Sequence, residues 1–265
     1  MDFFEDEPRN LWRLKDKLPG KWMRLDFQPR DLQLLQVLLE QKFLTFEQIS
    51  NYIFDGKKRY AYLRIWKLRR FGFVKKIMEF VSRGLFLPTE QTYDYFKNRF
   101  VEFPMPIACP DYRTISHDLL ATDVRFLFQK IGFGSSWTSE RVWRMGRSVR
   151  LWAPDAVIQV GGDLFAVEVE RVQKDNVRYE DIFARYQKDS ELSACLYITT
   201  ANLLNLLLEK ADHYPNIYFA TVSDLFQKKE KTLFRNAKGS FLEIEENLER
   251  NLEGYGGKGV MPVGG

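Results

Sequence analysis

From Arg30 onward, apolar residues at 32, 34, 35, 37, 38 and 39 crowd one short stretch, and this spacing predicts a heavily buried helix ending near Gln41. After Phe43-Leu44, Thr45 precedes Phe46-Glu47-Gln48, a T-x-x-Q capping box in which the hydroxyl takes an amide of the first turn and Gln48 reaches back. A second helix follows with Ile49, Tyr52 and Ile53 inward. Past Asp55-Gly56, a third runs from about Lys58 to Phe71 with Ala61, Ile65 and Leu68 on its buried face and Gly72 as its left-handed cap. Phe73 to Ile77 and Leu85 to Leu87 predict two strands joined around Arg83-Gly84, and residues 89–100 a closing helix.

Three helices and a hairpin in that order predict a winged helix-turn-helix over residues 21–103, preceded by an arm over 1–20. Prolines at 104, 106 and 110 mark a linker. Residues 112–253 then read as a second domain. A helix runs from His117 to Lys130 behind Ser116, and strands follow at Trp137 to Met145, Arg150 to Val160 and Leu164 to Val172, the last two meeting at the Gly161-Gly162-Asp163 turn. A helix from Tyr179 to Ser190, a strand over 194–199, a helix over 203–212 and a strand over 217–221 complete the order αβββαβαβ. The expected class is α/β (α+β) with a mixed sheet covered by helices. The glycine-rich stretch 254–265 has no core periodicity and is expected to be a disordered tail.

Charge sharpens this division. The 265-residue chain carries a net +4, but residues 21–100 hold 16 basic and 8 acidic side chains, whereas residues 101–265 hold 20 and 23. Nine cations and no acid fall between 57 and 76: Lys57, Lys58, Arg59, Arg64, Lys67, Arg69, Arg70, Lys75 and Lys76. They coincide with the third helix and the hairpin, where such modules touch phosphates and the major groove. The expected partner is double-stranded DNA, met by Lys57, Lys58, Arg59, Arg64, Lys67, Arg70, Lys75, Lys76 and Arg83. A solvated basic face or a protein-binding winged helix are the alternatives. Trp66 and Tyr62 are expected to pack against the wing rather than stack on bases.

Several classes are excluded. No run approaches the length of a membrane span, and MDFFEDEPRN lacks the basic and apolar regions of a secretory leader, so no membrane partner and a cytoplasmic location are expected. Cys109 and Cys195 provide no disulfide framework. With only His117 and His213 a three-histidine centre cannot form, and no GxxxxGK[ST] motif is present.

The candidate chemistry lies in acids on the central hairpin. Asp155 sits in one strand and Glu168 and Glu170 on its partner, where positions two apart share a face. Carboxylates in apolar strands need a cation or solvent, and these three would suit Mg²⁺, which takes a few carboxylates plus water and phosphate. Otherwise Glu168 and Glu170 would pair with Arg141, Arg144 or Arg178. Glu140 is a possible further acid from the neighbouring strand, and His117 a possible phosphate or carboxylate contact.

Pro154-Asp155, twelve residues, then Glu168-x-Glu170 on the next strand resembles the PD-(D/E)XK restriction-endonuclease-like superfamily over residues 117–221. With Ser116-His117-Asp118 opening a helix, Ala166-Val167-Glu168-Val169-Glu170-Arg171 and a later helix bearing Arg185-Tyr186, the whole chain is similar to the plasmid replication-relaxation family, to which endonuclease-like mobilisation relaxases are related. The resemblance implies DNA binding with Mg²⁺-dependent nicking or relaxation of plasmid or mobile-element DNA, with other replication or mobilisation proteins as partners. It implies a catalytic set of Asp155, Glu168, Glu170 and an amine, with Asp155 and Glu168 on the metal. The superfamily's lysine, two residues after the second acid, is replaced by Glu170. Lys188, on the following helix, is the favoured substitute and Lys174, on the loop, the other. A non-catalytic transcriptional regulator or replication accessory protein with a degenerate nuclease fold remains the alternative.

Overall fold

The computed structural model describes residues 25–78, 84–99, 101–145, 147 and 152–245. The chain is a mixed α/β protein that divides into two compact units, residues 1–114 and 115–265. The expected arm over 1–20, Arg83 at the hairpin tip and the glycine-rich tail lie outside the described residues.

In the first unit, α1 (Pro29–Gln41) starts on Pro29, whose missing amide hydrogen costs nothing in a first turn, and Asp31 accepts the Gln28 N–H at 2.8 Å. Leu34, Leu35, Val37, Leu38 and Leu39 are all buried. Strand β1 (Leu44–Thr45) leads to the Thr45 capping box, which closes in both directions at 3.1 Å. The short α2 (Phe46–Gln48) runs into a π-helical turn over Ile49–Ile53. Helix α3 (Lys58–Arg70) buries Ala61, Ile65 and Leu68. Gly72, at φ +80°, turns the chain out of it at a conformation that favours glycine. Strands β2 (Val74–Ile77) and β3 (Leu85–Pro88) pair antiparallel, and β1 adds to β3, giving a sheet of order β1-β3-β2. Helix α4 (Glu90–Lys97) follows, its Thr92 hydroxyl donating to the Phe73 carbonyl.

The second unit is built on a seven-stranded sheet. Helix α5 (Ile115–Ile131) is followed by β4 (Trp137–Ser139), a short α6 (Glu140–Trp143), β5 (Ala156–Val160), β6 (Asp163–Glu170), α7 (Asn176–Lys188), β7 (Ala194–Thr199), α8 (Ala201–Lys210), β8 (Ile217–Thr221), α9 (Val222–Lys228), β9 (Leu233–Arg235) and β10 (Phe241–Glu243). Spatial order is β10-β9-β8-β7-β6-β5-β4, with β6, β7 and β8 parallel and the outer pairs antiparallel.

Alternation along β6 divides the core. Phe165, Val167 and Val169 pack with Val124, Leu127 and Phe128 of α5, while Ala166 faces Tyr179, Phe183 and Tyr186 of α7. Glu168 and Glu170 share the parity of Ala166 and therefore point to the α7 side. Gly161 and Gly162, at φ +58° and +99°, form the tight turn between β5 and β6.

Three local expectations are corrected. The strand expected from Trp137 to Met145 stops at Ser139, whose hydroxyl accepts the Val142 N–H at 3.4 Å and opens α6. Of the strand expected over 150–160, residues 150 and 151 lie outside the described residues, and the ladder begins at Ala156, because Pro154 has no N–H to offer it, so Asp155 stands at the strand's mouth instead of inside it. Beyond Thr221 the sheet gains β9 and β10, three residues each, too short to show a period.

Candidate functional site

The cations expected to meet DNA separate into different roles. Lys57, Lys58, Arg59 and Arg70 are exposed, on or beside α3. Lys67 is half-buried, and Arg70 lies over the Trp66 ring at 5.5 Å. Trp66 is 38% exposed, so it is not packed away beneath the hairpin. On β2, Lys75 Nζ donates to the Ala108 carbonyl at 2.8 Å and Lys76 Nζ lies 5.7 Å from the centre of the Phe86 ring. Arg64 overturns its assignment to the DNA-facing surface. Its Nε donates to Asp31 Oδ1 at 3.0 Å, one Nη closes on Asp31 Oδ2, and the same Nη reaches the Asp26 carbonyl at 3.0 Å. Asp31 has no solvent exposure, and its hydrogen bonds raise the Arg64 pKa against the cost of burial. The helical row 61, 64, 68 explains the direction: Arg64 borders the buried face between Ala61 and Leu68.

The acids gather at one end of the second unit's sheet. Ala156 pairs with Val167, so one step further Asp155 falls opposite Glu168 and on the same face. This is also the carboxyl end of the parallel strands β6 and β7, the end where open sheets of this type accept ligands. Asp155 Oδ2 accepts two hydrogen bonds, from the Val169 N–H at 2.8 Å and from His117 Nε2 at 3.0 Å. His117 comes from the first turn of α5, and its Nδ1 lies 3.7 Å from Asp118 Oδ1. Glu168 is 7% exposed, and its Oε1 accepts the Tyr186 hydroxyl of α7 at 2.6 Å.

After β6 the chain doubles back. The Lys174 N–H donates to the Tyr179 hydroxyl at 2.8 Å, Asp175 caps α7 through the Val177 N–H at 2.9 Å, and Lys174 Nζ thereby closes on Glu170 Oε2. The amine at the acids is thus Lys174, and Lys188 is corrected. Tyr186 faces the sheet, and two residues further a helix has turned 200°, which leaves Lys188 exposed on the opposite side. Glu140 is corrected as well, since its carboxylate binds Arg144 at 3.0 Å one helical turn on; only its backbone N–H meets the site, donating to the Asp155 carbonyl at 2.9 Å. Glu168 and Glu170 take Tyr186 and Lys174 instead of the arginines at 141, 144 or 178.

Electrostatics follow from this placement. Burial and the facing charge of Asp155 push the Glu168 carboxyl well above its ordinary value, and the Tyr186 hydrogen bond and the Lys174 and His117 charges only partly oppose them. Burial disfavours the His117 cation, but the neighbouring carboxylates of Asp118 and Asp155 outweigh this and raise its pKa to about 10. At neutral pH the ring is an imidazolium donating through Nε2, so it cannot accept a proton from water. Burial drives the Arg141 pKa down, with Glu140 and Asp118 opposing.

Among the described residues no group of three or more His, Cys, Asp and Glu forms a cation cage. The pair Asp155 and Glu168 nevertheless suits Mg²⁺, which is commonly held by one or two carboxylates with water and substrate phosphate completing its shell. The raised proton affinity of Glu168 comes first from burial and then from the facing Asp155 charge, which Lys174 and His117 offset only in part. Sequence reading did not assign roles to Tyr186 or Asp118. A Tyr on the 179, 182, 183, 186 inward row was the available signal, because a buried phenol needs a hydrogen-bond partner.

No family model matches the chain, and no curated protein or solved structure matches it either. Among the described residues, no helix is long and apolar enough to cross a membrane.

Proposed function

We propose that this is a DNA-binding protein of the replication-relaxation type, in which the first unit grips duplex DNA as a winged helix and the second is a restriction-endonuclease-like domain that nicks it. The order helix, strand, helix, helix and hairpin in the first unit, with exposed Lys57, Lys58, Arg59 and Arg70 on or beside the third helix, supports the binding half. The observation that carries the catalytic half is the facing of Asp155 and Glu168 at the carboxyl end of the parallel strands.

Asp155 and Glu168 would hold Mg²⁺, which supplies an activated water and neutralises charge developing on the phosphate. Lys174 offers the ammonium that the superfamily places two residues after the second acid. Held against Glu170 on the same face as the two acids, its ammonium can stabilise negative charge on the scissile phosphate. Tyr186 fixes one oxygen of Glu168 and the Val169 N–H one oxygen of Asp155, which limits their rotation.

A second reading is favoured by the same contacts. His117, Tyr186 and Lys174 satisfy the acids without a metal, as expected of a regulator or replication accessory protein that kept the fold and lost cleavage. A supercoiled-plasmid assay with Mg²⁺ or Mn²⁺ separates them. The nuclease reading expects nicked circles from the wild type and none from Asp155→Ala or Glu168→Ala. Intact duplex binding with no nicking by the wild type gives the protein to the accessory reading.

A further inference from the structure

We propose that His117 is a positioning residue of the carboxylate site, holding Asp155 so that its Oδ1 remains available to a divalent cation. This rests on the reading of Asp155 and Glu168 as metal ligands. Asp155 follows Pro154 and precedes the first residue of β5; its backbone carbonyl takes the Glu140 N–H at 2.9 Å, but the orientation of its carboxylate depends on the side chain's own contacts. Both hydrogen bonds to its carboxylate fall on Oδ2, one from the Val169 amide and one from His117 Nε2. Two donors converging on one oxygen fix the plane of the carboxylate, whereas the amide alone would leave it free to swing. His117 is itself well anchored, since it sits in the first turn of the 17-residue α5 with Asp118 beside Nδ1. Through this one ring, the helix on one face of the sheet orients an acid that faces the other.

The hydrogen bond from His117 Nε2 orders the Asp155 carboxylate, and Asp118 stands 3.7 Å from Nδ1 on the other edge of the ring. Loss of a partner that orients a metal ligand typically weakens affinity by about 10- to 100-fold.

The test is Mn²⁺ titration of the full chain, followed by the electron paramagnetic resonance of the free ion, for wild type, His117→Ala and His117→Gln. His117→Ala is expected to bind Mn²⁺ roughly 10-fold or more weakly. His117→Gln, whose side-chain amide can still donate to Oδ2, is expected to recover most of the affinity. A merely structural role would lower the metal-free melting temperature and leave the affinity of the folded protein unchanged. Unchanged or tighter binding by His117→Ala overturns the proposal while the metal reading stands. Absence of Mn²⁺ binding by the wild type overturns both.

Discussion

Arg64 closes its Nε and one Nη on the two oxygens of Asp31, a carboxylate with no solvent exposure, and so ties the middle of α3 to the first turn of α1. Cutting one member from a buried pair leaves an uncompensated charge, which costs about 3–5 kcal/mol. Arg64→Glu is therefore expected to unfold the first unit rather than merely remove a DNA contact. Denaturant unfolding monitored by circular dichroism checks this, and Asp31→Asn should be destabilising in the same way.

DNA contact should instead reside in the exposed cations. Lys58→Glu, Arg59→Glu and Arg70→Glu together are expected to leave the folded protein's stability nearly unchanged and to weaken duplex binding strongly. If the wild type neutralises about six phosphates, its logarithmic salt slope should be roughly −5, and each lost contact should reduce the magnitude by roughly one. Fluorescence anisotropy over a salt series reads both quantities.

Stability should vary with pH through Glu168. Burial and Asp155 raise its native pKa, so above the ordinary carboxyl value of 4.5 the unfolded chain has ionised this group while the native one keeps its proton. The contribution is full below that value and is lost as pH rises through the native pKa. Asp155, Tyr186, Lys174, His117 and the buried Cys195 and Tyr197 are the titratable neighbours. Glu168→Gln removes the effect while its amide oxygen can still accept the Tyr186 hydroxyl. Its melting temperature should exceed that of the wild type at pH 8, and the two should converge toward pH 4.5. A wild-type excess that grows with pH would contradict the assignment.

Lys174 and Lys188 should behave differently. Lys174→Ala leaves the Glu170 carboxylate buried without its cation, a loss of roughly 3 kcal/mol, and should abolish nicking. Adding Glu170→Gln should restore most of the stability without restoring nicking. Lys188→Ala, on the exposed side of α7, should change stability by less than about 0.5 kcal/mol and leave nicking intact. Thermal scans beside the plasmid assay distinguish the two lysines.

Local signals carried much of this architecture in the sequence itself. The Thr45 to Gln48 capping box, the third helix ending at Gly72 and the Gly161-Gly162 turn each act over a few residues, so their chemistry is readable from adjacent letters. The facing of Asp155 and Glu168 follows once that turn sets the register. The inward turn of Arg64 is not readable in this way, because its partner lies 33 positions away on another helix. The choice of Lys174 over Lys188 depends on the helical angle relative to Tyr186 and on a loop folded back by Tyr179, which charge spacing does not encode. Glu140 reads as a strand residue until the Ser139 cap, a weak signal, starts a helical turn there.

The two-glycine turn between β5 and β6 works as a ruler. It fixes how many residues separate the two acids across the hairpin, and the pleat then decides which face each occupies. One extra residue at the turn, with the rest of β6 shifted by one place, would send Glu168 and Glu170 into the apolar layer against α5 and bring Val167 and Val169 beneath α7. The spacing of acids thirteen positions apart in the chain is thus governed by a pair of residues that touch neither of them.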